Sequence, residues 1–237
     1  MALHVGTSGW AYAEWRGAFY PPRLPQKEFL SFYGEALNAC EVNATFYRSQ
    51  SASALERWAA AVPPSFRFTA KAHRRVTYRR QLVPDPQTEA FIREFVASLA
   101  PLGGRLGCLL LQLPEFIERD DGALAGLLDL MPEDVPVACE PLHASWQVPE
   151  VAAVLAERGG TLCVREEQGK APSTLPPGPL AYVRLKGEHY GDEAVAALRD
   201  LFAREAAGRD VYVFARHKGV PADDPHTGLG LARALSP

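Results

Sequence analysis

Residues 37–48, LNACEVNATFYR, hold the densest group of chemically capable side chains in the sequence. The segment begins with apolar residues and then supplies a carboxylate, an amide, a phenol and a guanidinium from Glu41, Asn43, Tyr47 and Arg48. Such an abrupt change is typical of a strand that leaves a core and opens into a pocket. A carboxylate directly after an apolar strand is costly to bury unless it is paired. We therefore expect a site at the end of this strand.

Seven other apolar runs end in polar or charged residues in the same way. Together with the first, the predicted strands cover residues 3–5, 37–40, 66–70, 106–111, 135–139, 161–164, 180–185 and 210–214. Between most of them lie amphipathic stretches with helical spacing, such as residues 87–99 and 194–207. Residues 169–179 are rich in Pro and Ser, so the helix after the sixth strand is predicted to be short or missing.

Alternating strands and helices predict a parallel sheet. Eight such units in 237 residues match a (β/α)8 barrel of the TIM type, which typically has about 250 residues. A doubly wound open sheet is the alternative. No internal repeat or linker divides the sequence, so we expect one domain over residues 1–237.

Composition limits the function classes. A net charge of −3 argues against a protein that coats nucleic acid or an anionic membrane. No apolar run is long enough to span a bilayer, and the amino terminus lacks a signal-peptide pattern, so we expect a cytoplasmic protein. The four cysteines form no CxxC pair and lie in apolar runs, which predicts buried, structural thiols. No cofactor is assigned, and a divalent metal is kept as an alternative.

In barrels of this type the site lies where the strands end, and it is built from the loops that follow them. We expect Glu41, Glu140 and His143 to be catalytic, by proton transfer. Polar and aromatic residues at the strand ends form the expected ligand-binding set, which is Trp10, Asn43, Tyr47, Arg48, Lys71, Gln112, Trp146, Arg184, Lys186, Arg216 and His217. The surplus of cations in this set favours an anionic ligand, with Arg48, Lys71, Arg184 and Lys186 binding it.

Each of these assignments has an alternative. The cations could instead neutralise Glu41 and Glu140 in a buried ion-pair network. His143 could cap a loop by hydrogen bonds. The two glutamates with His143 and His217 could hold a divalent metal, but no HxH or HxxE spacing supports that, and no metal ligand is assigned. Trp10, Tyr47 and Trp146 could stack on a sugar or a base.

Four motifs carry a resemblance to a known family. They are GTSGWAYAEWRGAFYP at residues 6–21, EVNATFYR at 41–48, QLPEF at 112–116 and EPLHASW at 140–146. In this order, and over essentially the whole chain, they resemble the domain-of-unknown-function 72 (DUF72) family, also described as YecE-like. The resemblance implies a TIM-type barrel, and it implies no particular activity because the activity of the family is not established.

The sequence departs from the family pattern at several strand ends. Leu142 stands where the family usually has arginine, and Lys186 stands where it usually has histidine. Arg216 and His217 replace paired asparagines, and Arg165-Glu166 stand where an aspartate is frequent. These departures imply a divergent member with a different ligand.

Three functions fit the residues. The predicted one is an enzyme, a hydrolase or an isomerase, that uses acid–base chemistry on a small phosphorylated or carboxylated substrate. A metal-dependent phosphoesterase that resembles endonuclease IV and acts on nucleic acid is the second, and the net charge disfavours it. A non-catalytic protein that senses an anionic metabolite is the third.

Overall fold

A single parallel sheet of nine strands organises the molecule. The computed structural model describes residues 1–78, 82, 85–217 and 221–237. Its strands are β1 (Leu3–Thr7), β2 (Ala39–Val42), β3 (Arg67–Lys71), β4 (Leu106–Leu113), β5 (Val137–Pro141), β6 (Gly160–Leu162), β7 (Val164–Glu166), β8 (Leu180–Leu185) and β9 (Asp210–Ala215). Strand β1 pairs in parallel with both β2 and β9, so the two ends of the chain meet in the sheet.

Helices follow most of the strands. They are α1 (Phe29–Ala36), α2 (Ala44–Tyr47), α3 (Ala52–Ala60), α4 (Arg74–Thr77), α5 (Pro86–Ala97), α6 (Asp121–Leu128), α7 (Glu150–Glu157), α8 (Asp192–Ala206) and α9 (Gly228–Leu235). Side-chain oxygens of Ser51, Asp85 and Asp120 cap the amino termini of α3, α5 and α6 by accepting a backbone N–H three residues on. These caps fix where each helix begins.

The barrel closes through a strand that is interrupted at Cys163. Strand β6 pairs with β5, whereas β7 pairs with β8, and only this one residue separates β6 from β7. Thr161 Oγ1 spans the closure by donating to Leu180 O, 3.0 Å away. The nine strands therefore occupy eight positions around a barrel. The predicted (β/α)8 TIM-type fold is confirmed, and the doubly wound alternative is wrong.

No helix forms between β7 and β8, as predicted. The Glu166 carboxylate organises the start of this loop instead. It accepts hydrogen bonds from the backbone N–H groups of Gln168, Gly169 and Lys170, and Tyr190 donates its hydroxyl to it. The Glu166 carboxylate thus provides hydrogen-bond acceptors for backbone N–H groups that would otherwise bond within a helix.

Alternation along the strands separates two apolar regions. One face of each strand packs against the helices, and the other fills the barrel with side chains that include Cys108, Tyr182 and Phe214. His4 stacks on Tyr212 inside the barrel, with ring centroids 4.7 Å apart, and burial lowers the pKa of His4 to about 4.

Two sequence predictions concern the cysteines, expected to be buried thiols, and the lack of a segment that could span a bilayer. All four cysteines are buried and free, and burial raises the pKa of each thiol. This agrees with a structural role for them. In the parts of the chain for which coordinates are given, no helix is both long and apolar enough to cross a bilayer.

Candidate functional site

Two glutamates at distant strand ends share one arginine. Glu41 at the end of β2 and Glu140 at the end of β5 both face into the barrel, and Arg184 of β8 lies between them. Arg184 Nη2 is 2.9 Å from Glu41 Oε1, and its Nη1 is 2.5 Å from Glu140 Oε2. All three side chains are at least nine-tenths buried. We call the carboxyl end of the sheet around these residues the barrel mouth.

Glu41 is held as a carboxylate by four donors. Besides Arg184, Ser8 Oγ donates at 2.7 Å, Tyr182 Oη at 2.9 Å and Asn43 Nδ2 at 3.4 Å. Burial by itself would raise the pKa of Glu41. The charges of Arg184 and Lys186 and the hydrogen bonds outweigh it and lower that pKa to about 2. Glu41 is therefore ionised at neutral pH, and it is a poor proton donor or acceptor there.

Glu140 differs because half of its carboxylate is left unbonded. Its Oε2 accepts from Arg184 Nη1 and from Gln112 Nε2, each at 2.5 Å. Its Oε1 is buried, and within the described chain it has no hydrogen-bond partner. Glu140 lines a cavity of about 380 Å³ together with residues that include Cys163 and Arg165. An acceptor of this kind is costly to bury unless a ligand or water supplies a donor.

Two lysines add positive charge beside the network. Lys71 Nζ donates to Gln112 Oε1 at 2.7 Å and lies 4.2 Å from the centre of the Phe46 ring. Lys186 makes no side-chain hydrogen bond or ion pair with any other residue that the structure describes. Burial and the nearby Arg184 lower the pKa of both lysines, although Glu41 and Glu140 act in the opposite direction. Three cations thus face two carboxylates at the barrel mouth.

A second cavity lies on the Glu41 side of the network. It has a volume of about 260 Å³ and is lined by Ser8, Trp10, Asn43 and Arg48, among others. The structure therefore brings together three residues of the predicted ligand-binding set, Trp10, Asn43 and Arg48, with Ser8 beside them. Tyr47 follows in α2 but is 68% exposed and does not line this cavity.

Two predicted residues serve the loop after β5. Trp146 is fully buried, and its Nε1 donates to Ile117 O at 2.8 Å. Its predicted stacking on a ligand is wrong, because no part of the ring is open to a ligand. His143 Nδ1 accepts from the backbone N–H of Ser145 at 3.2 Å and caps a short 3-10 helix. The capping alternative is the role that the structure shows for His143.

The charged residues at the ends of β7 and β9 pair with other partners than the two glutamates, although Arg165 lines the cavity beside Glu140. Arg165 pairs with Glu167 at 2.6 Å, and Arg216 Nη1 lies 3.7 Å from Glu188. The ring of His217 stacks on Tyr12 with centroids 4.4 Å apart. A metal held by the two strand-end glutamates with His143 and His217 is not supported, since Arg184 occupies the space between the glutamates and no such cluster forms among the described residues.

Sequence reasoning missed Tyr182 and Thr69. Tyr182 donates to Glu41, and its hydroxyl also lies 2.9 Å from Thr69 Oγ1 in the layer below the network. Tyr182 precedes Arg184 by two residues on β8, so both point to the same face of the strand. The alternation along β8 is the signal that could have identified it.

Comparisons with known proteins agree with this fold. A family model described as "Protein of unknown function DUF72" matches residues 4–237. The chain is 27% identical to UPF0759 protein YunF of Bacillus subtilis (strain 168) over 152 residues, which is 62% of this chain and 53% of YunF. It is 27% identical to UPF0759 protein YecE of Escherichia coli (strain K12) over 145 residues, 61% and 50% of the two chains. The match spans about half the length of these curated relatives.

Solved structures match over nearly the whole chain. A DUF72 family protein from Thermotoga maritima MSB8 superposes with a TM-score of 0.76 at 25% identity, covering 99% of this chain and 97% of that one. A DUF72 family protein from Enterococcus faecalis V583 gives a TM-score of 0.73 at 18% identity, with coverage of 99% and 95%. The second likeness concerns the fold alone.

Proposed function

We propose, from the premise that this chain belongs to the DUF72 family of proteins of unknown function, that it is an enzyme acting on a small anionic substrate at the barrel mouth. The substrate class is a phosphorylated or carboxylated metabolite, and the chemistry is acid–base. The observation that carries the proposal is the side chain of Lys186, which has no hydrogen-bond or ion-pair partner among the described residues and lies beside an ion-pair network whose other charges are already engaged.

The charges at the barrel mouth favour an anion. Arg184 is occupied by both glutamates, and Lys71 is held by Gln112 and the Phe46 ring. Burial and the neighbouring Arg184 disfavour the charged form of Lys186 and lower its pKa. A phosphate or carboxylate bound next to it would restore the charge balance and raise that pKa. The electrostatic attraction between an anion and a buried lysine is therefore stronger here than at an exposed lysine.

Glu140 is the proposed proton-transfer group. Its buried Oε1 lacks a donor in the described chain, so a substrate hydroxyl placed in the adjoining cavity would complete its hydrogen bonding. Such a contact places the carboxylate oxygen within reach of the proton that it would accept. The cavity of about 380 Å³ is of the size that small-molecule sites occupy.

The other members of the network hold Glu140 and Arg184 in position and do not take part in proton transfer. Arg184 and Gln112 fix the orientation of Glu140 through its Oε2, so that Oε1 alone is left for the substrate. Gln112 also joins Lys71 to Glu140, with its carbonyl towards the lysine and its amide towards the carboxylate. Glu41 holds Arg184 in place, and its low pKa suits a fixed counter-ion better than a catalyst.

A ligand screen by thermal shift tests the proposal, using sugar phosphates, nucleotides and small carboxylates on the full chain. A ligand at 100 times its Kd raises the stability by about 2.7 kcal/mol. Lys186→Met should abolish the shift, whereas Lys27→Ala should leave it unchanged because Lys27 is exposed and lines neither of the two cavities. The variant comparison uses the ligand-induced shift, since removing a desolvated cation also changes the stability without ligand.

Turnover of the ligand found in that screen tests the role of Glu140. Glu140→Gln should still bind the ligand but lose turnover, because an amide of similar shape cannot accept the proton. Normal turnover in this variant would contradict the assignment. Binding without conversion by the unaltered protein would instead support a sensor of an anionic metabolite.

A further inference from the structure

A second cluster of potential ligand groups lies in the loops that follow β8 and β9. His189 belongs to the first loop, and Asp224 and His226 belong to the second. Each offers one ligand atom, and the three atoms lie within 4.8 Å of one another. We propose that these three side chains form a binding site for a divalent transition metal of the Zn²⁺ class.

The spacing at the centre of this cluster already suits a metal. His226 Nδ1 lies 3.5 Å from Asp224 Oδ1. Two ligands bonded to Zn²⁺ at about 2.0–2.1 Å in tetrahedral geometry lie roughly 3.3 Å apart. His189 is exposed, so its side chain is free to turn towards the other two. Closing the site requires no movement of the strands.

The surroundings of His226 leave one ring nitrogen for the metal. Asp192 Oδ1 lies 2.7 Å from Nε2, on the side of the ring away from Asp224. A carboxylate on the second nitrogen is the usual companion of a metal-bound histidine, because it fixes the tautomer and the ring orientation. Here it makes Nδ1 the nitrogen with the free lone pair.

Backbone contacts hold the two loops in register. The Tyr190 N–H donates to His226 O at 2.8 Å, one residue away from His189 along the chain. The His226 N–H donates to Asp224 Oδ1 at 2.9 Å and so orients that carboxylate. The rings of His189 and His226 have centroids 5.0 Å apart. The two loops are therefore held together before any metal binds, and only the His189 side chain has to adjust.

The ligand types select the metal. Two imidazoles and one carboxylate suit Zn²⁺ and its neighbours Co²⁺ and Ni²⁺, whereas Mg²⁺ and Ca²⁺ prefer oxygen ligands alone. Three protein ligands leave one tetrahedral position open to water or another molecule. The site is separate from the network at Glu41 and Glu140, where Arg184 supplies the positive charge.

Titration of the chelator-treated full chain with Co²⁺ tests the site. We expect one equivalent to bind with the visible absorption of a four- or five-coordinate ion, and Zn²⁺ to displace it. His189→Ala, Asp224→Asn and His226→Ala should each abolish the absorption. Asp192→Asn should weaken Zn²⁺ binding about 10–100-fold while leaving the ligands in place. His143→Ala is the matched control, because that histidine caps a different loop, and it should bind like the unaltered protein.

The same titration can overturn the proposal. Absence of a stoichiometric Co²⁺ spectrum would leave the cluster as an ion pair between His226 and its two aspartates. Unchanged binding in His226→Ala would place the metal elsewhere in the chain. Both results count against the site, and neither depends on the activity proposed for the barrel mouth.

Discussion

Replacing Arg184 by methionine should leave two buried carboxylates without their shared counter-ion. The Glu41 and Glu140 side chains are 0% and 2% exposed, and Arg184 contacts both at ion-pair distance. Removing one partner of a buried pair costs roughly 3–5 kcal/mol. Arg184 is the largest of the contributions that outweigh burial and lower the pKa of Glu41 to about 2. We therefore expect Arg184→Met to lower the free energy of unfolding by about 3–5 kcal/mol at pH 7.

The stability difference between the unaltered protein and Arg184→Met should depend on pH. In the unaltered protein the pKa of Glu41 is depressed, so the ionised carboxylate adds to the free energy of unfolding. This stabilisation is fully present above the unfolded pKa of about 4.5 and is lost as pH falls towards 2. In Arg184→Met, burial acts on Glu41 with less opposition, and its pKa rises. Protonation of Glu41 at low pH then removes the buried negative charge and its energetic cost in the variant. The difference in stability between the two proteins should accordingly shrink from pH 7 to pH 4.

Urea unfolding at pH 7 and pH 4 measures both quantities. Arg165→Met is the matched control, since Arg165 forms an exposed pair with Glu167 that is worth about 0–1 kcal/mol. If Arg184→Met does not fold, the triple variant that also carries Glu41→Gln and Glu140→Gln should fold, because no buried carboxylate is then left without its counter-ion. A loss below about 1 kcal/mol, or a loss that does not change with pH, would refute the account of the network.

Three further predictions concern the barrel itself. A Cβ on Gly6 would lie 1.8 Å from Ala39 O, so Gly6→Ala should destabilise the fold strongly in urea. A Cβ on Gly126 in α6 would meet no atom of the surrounding structure within 4 Å, so Gly126→Ala should stabilise by about 0.5–1 kcal/mol. The pKa of His4 is lowered to about 4, so the neutral ring stabilises the fold above pH 6.5 and this stabilisation is lost as pH falls towards 4. His4→Phe should remove that part of the pH dependence of stability. An unchanged pH dependence in urea unfolding would contradict this. The four cysteines should not react with a thiol reagent in the native protein and should all react in denaturant, and a fast-reacting native thiol would show that one is accessible.

The order and type of the elements could be predicted because their causes are local. Apolar runs, helical spacing and Gly or Pro boundaries each act within a few residues. The direction of the strands then predicts which residues meet, because all parallel strands end at one face. This is why Glu41, Glu140, Arg184 and Lys186 could be assigned to one site from sequence.

The contacts within the site could not be predicted in the same way. Glu41 and Arg184 are 143 residues apart, and no spacing indicates that one guanidinium lies between two carboxylates. Trp146 follows a strand end like a ligand-binding residue, but the direction of a loop side chain depends on the whole fold. The interruption at Cys163 lies within an apolar run that gives no sign of it. The residues of the proposed metal site lie in loops whose conformation no local pattern determines.

The interruption at Cys163 has a consequence for local unfolding. Strands β6 and β7 have three residues each, and each pairs with a single neighbour, so this part of the ring has short ladders of backbone hydrogen bonds. Amide hydrogens in short, weakly paired segments exchange through local opening well before the rest of a domain unfolds. We therefore expect early local opening where β6 and β7 pair with β5 and β8, beside the cavity that Glu140 lines, and rapid deuterium uptake at residues 160–166 would show it.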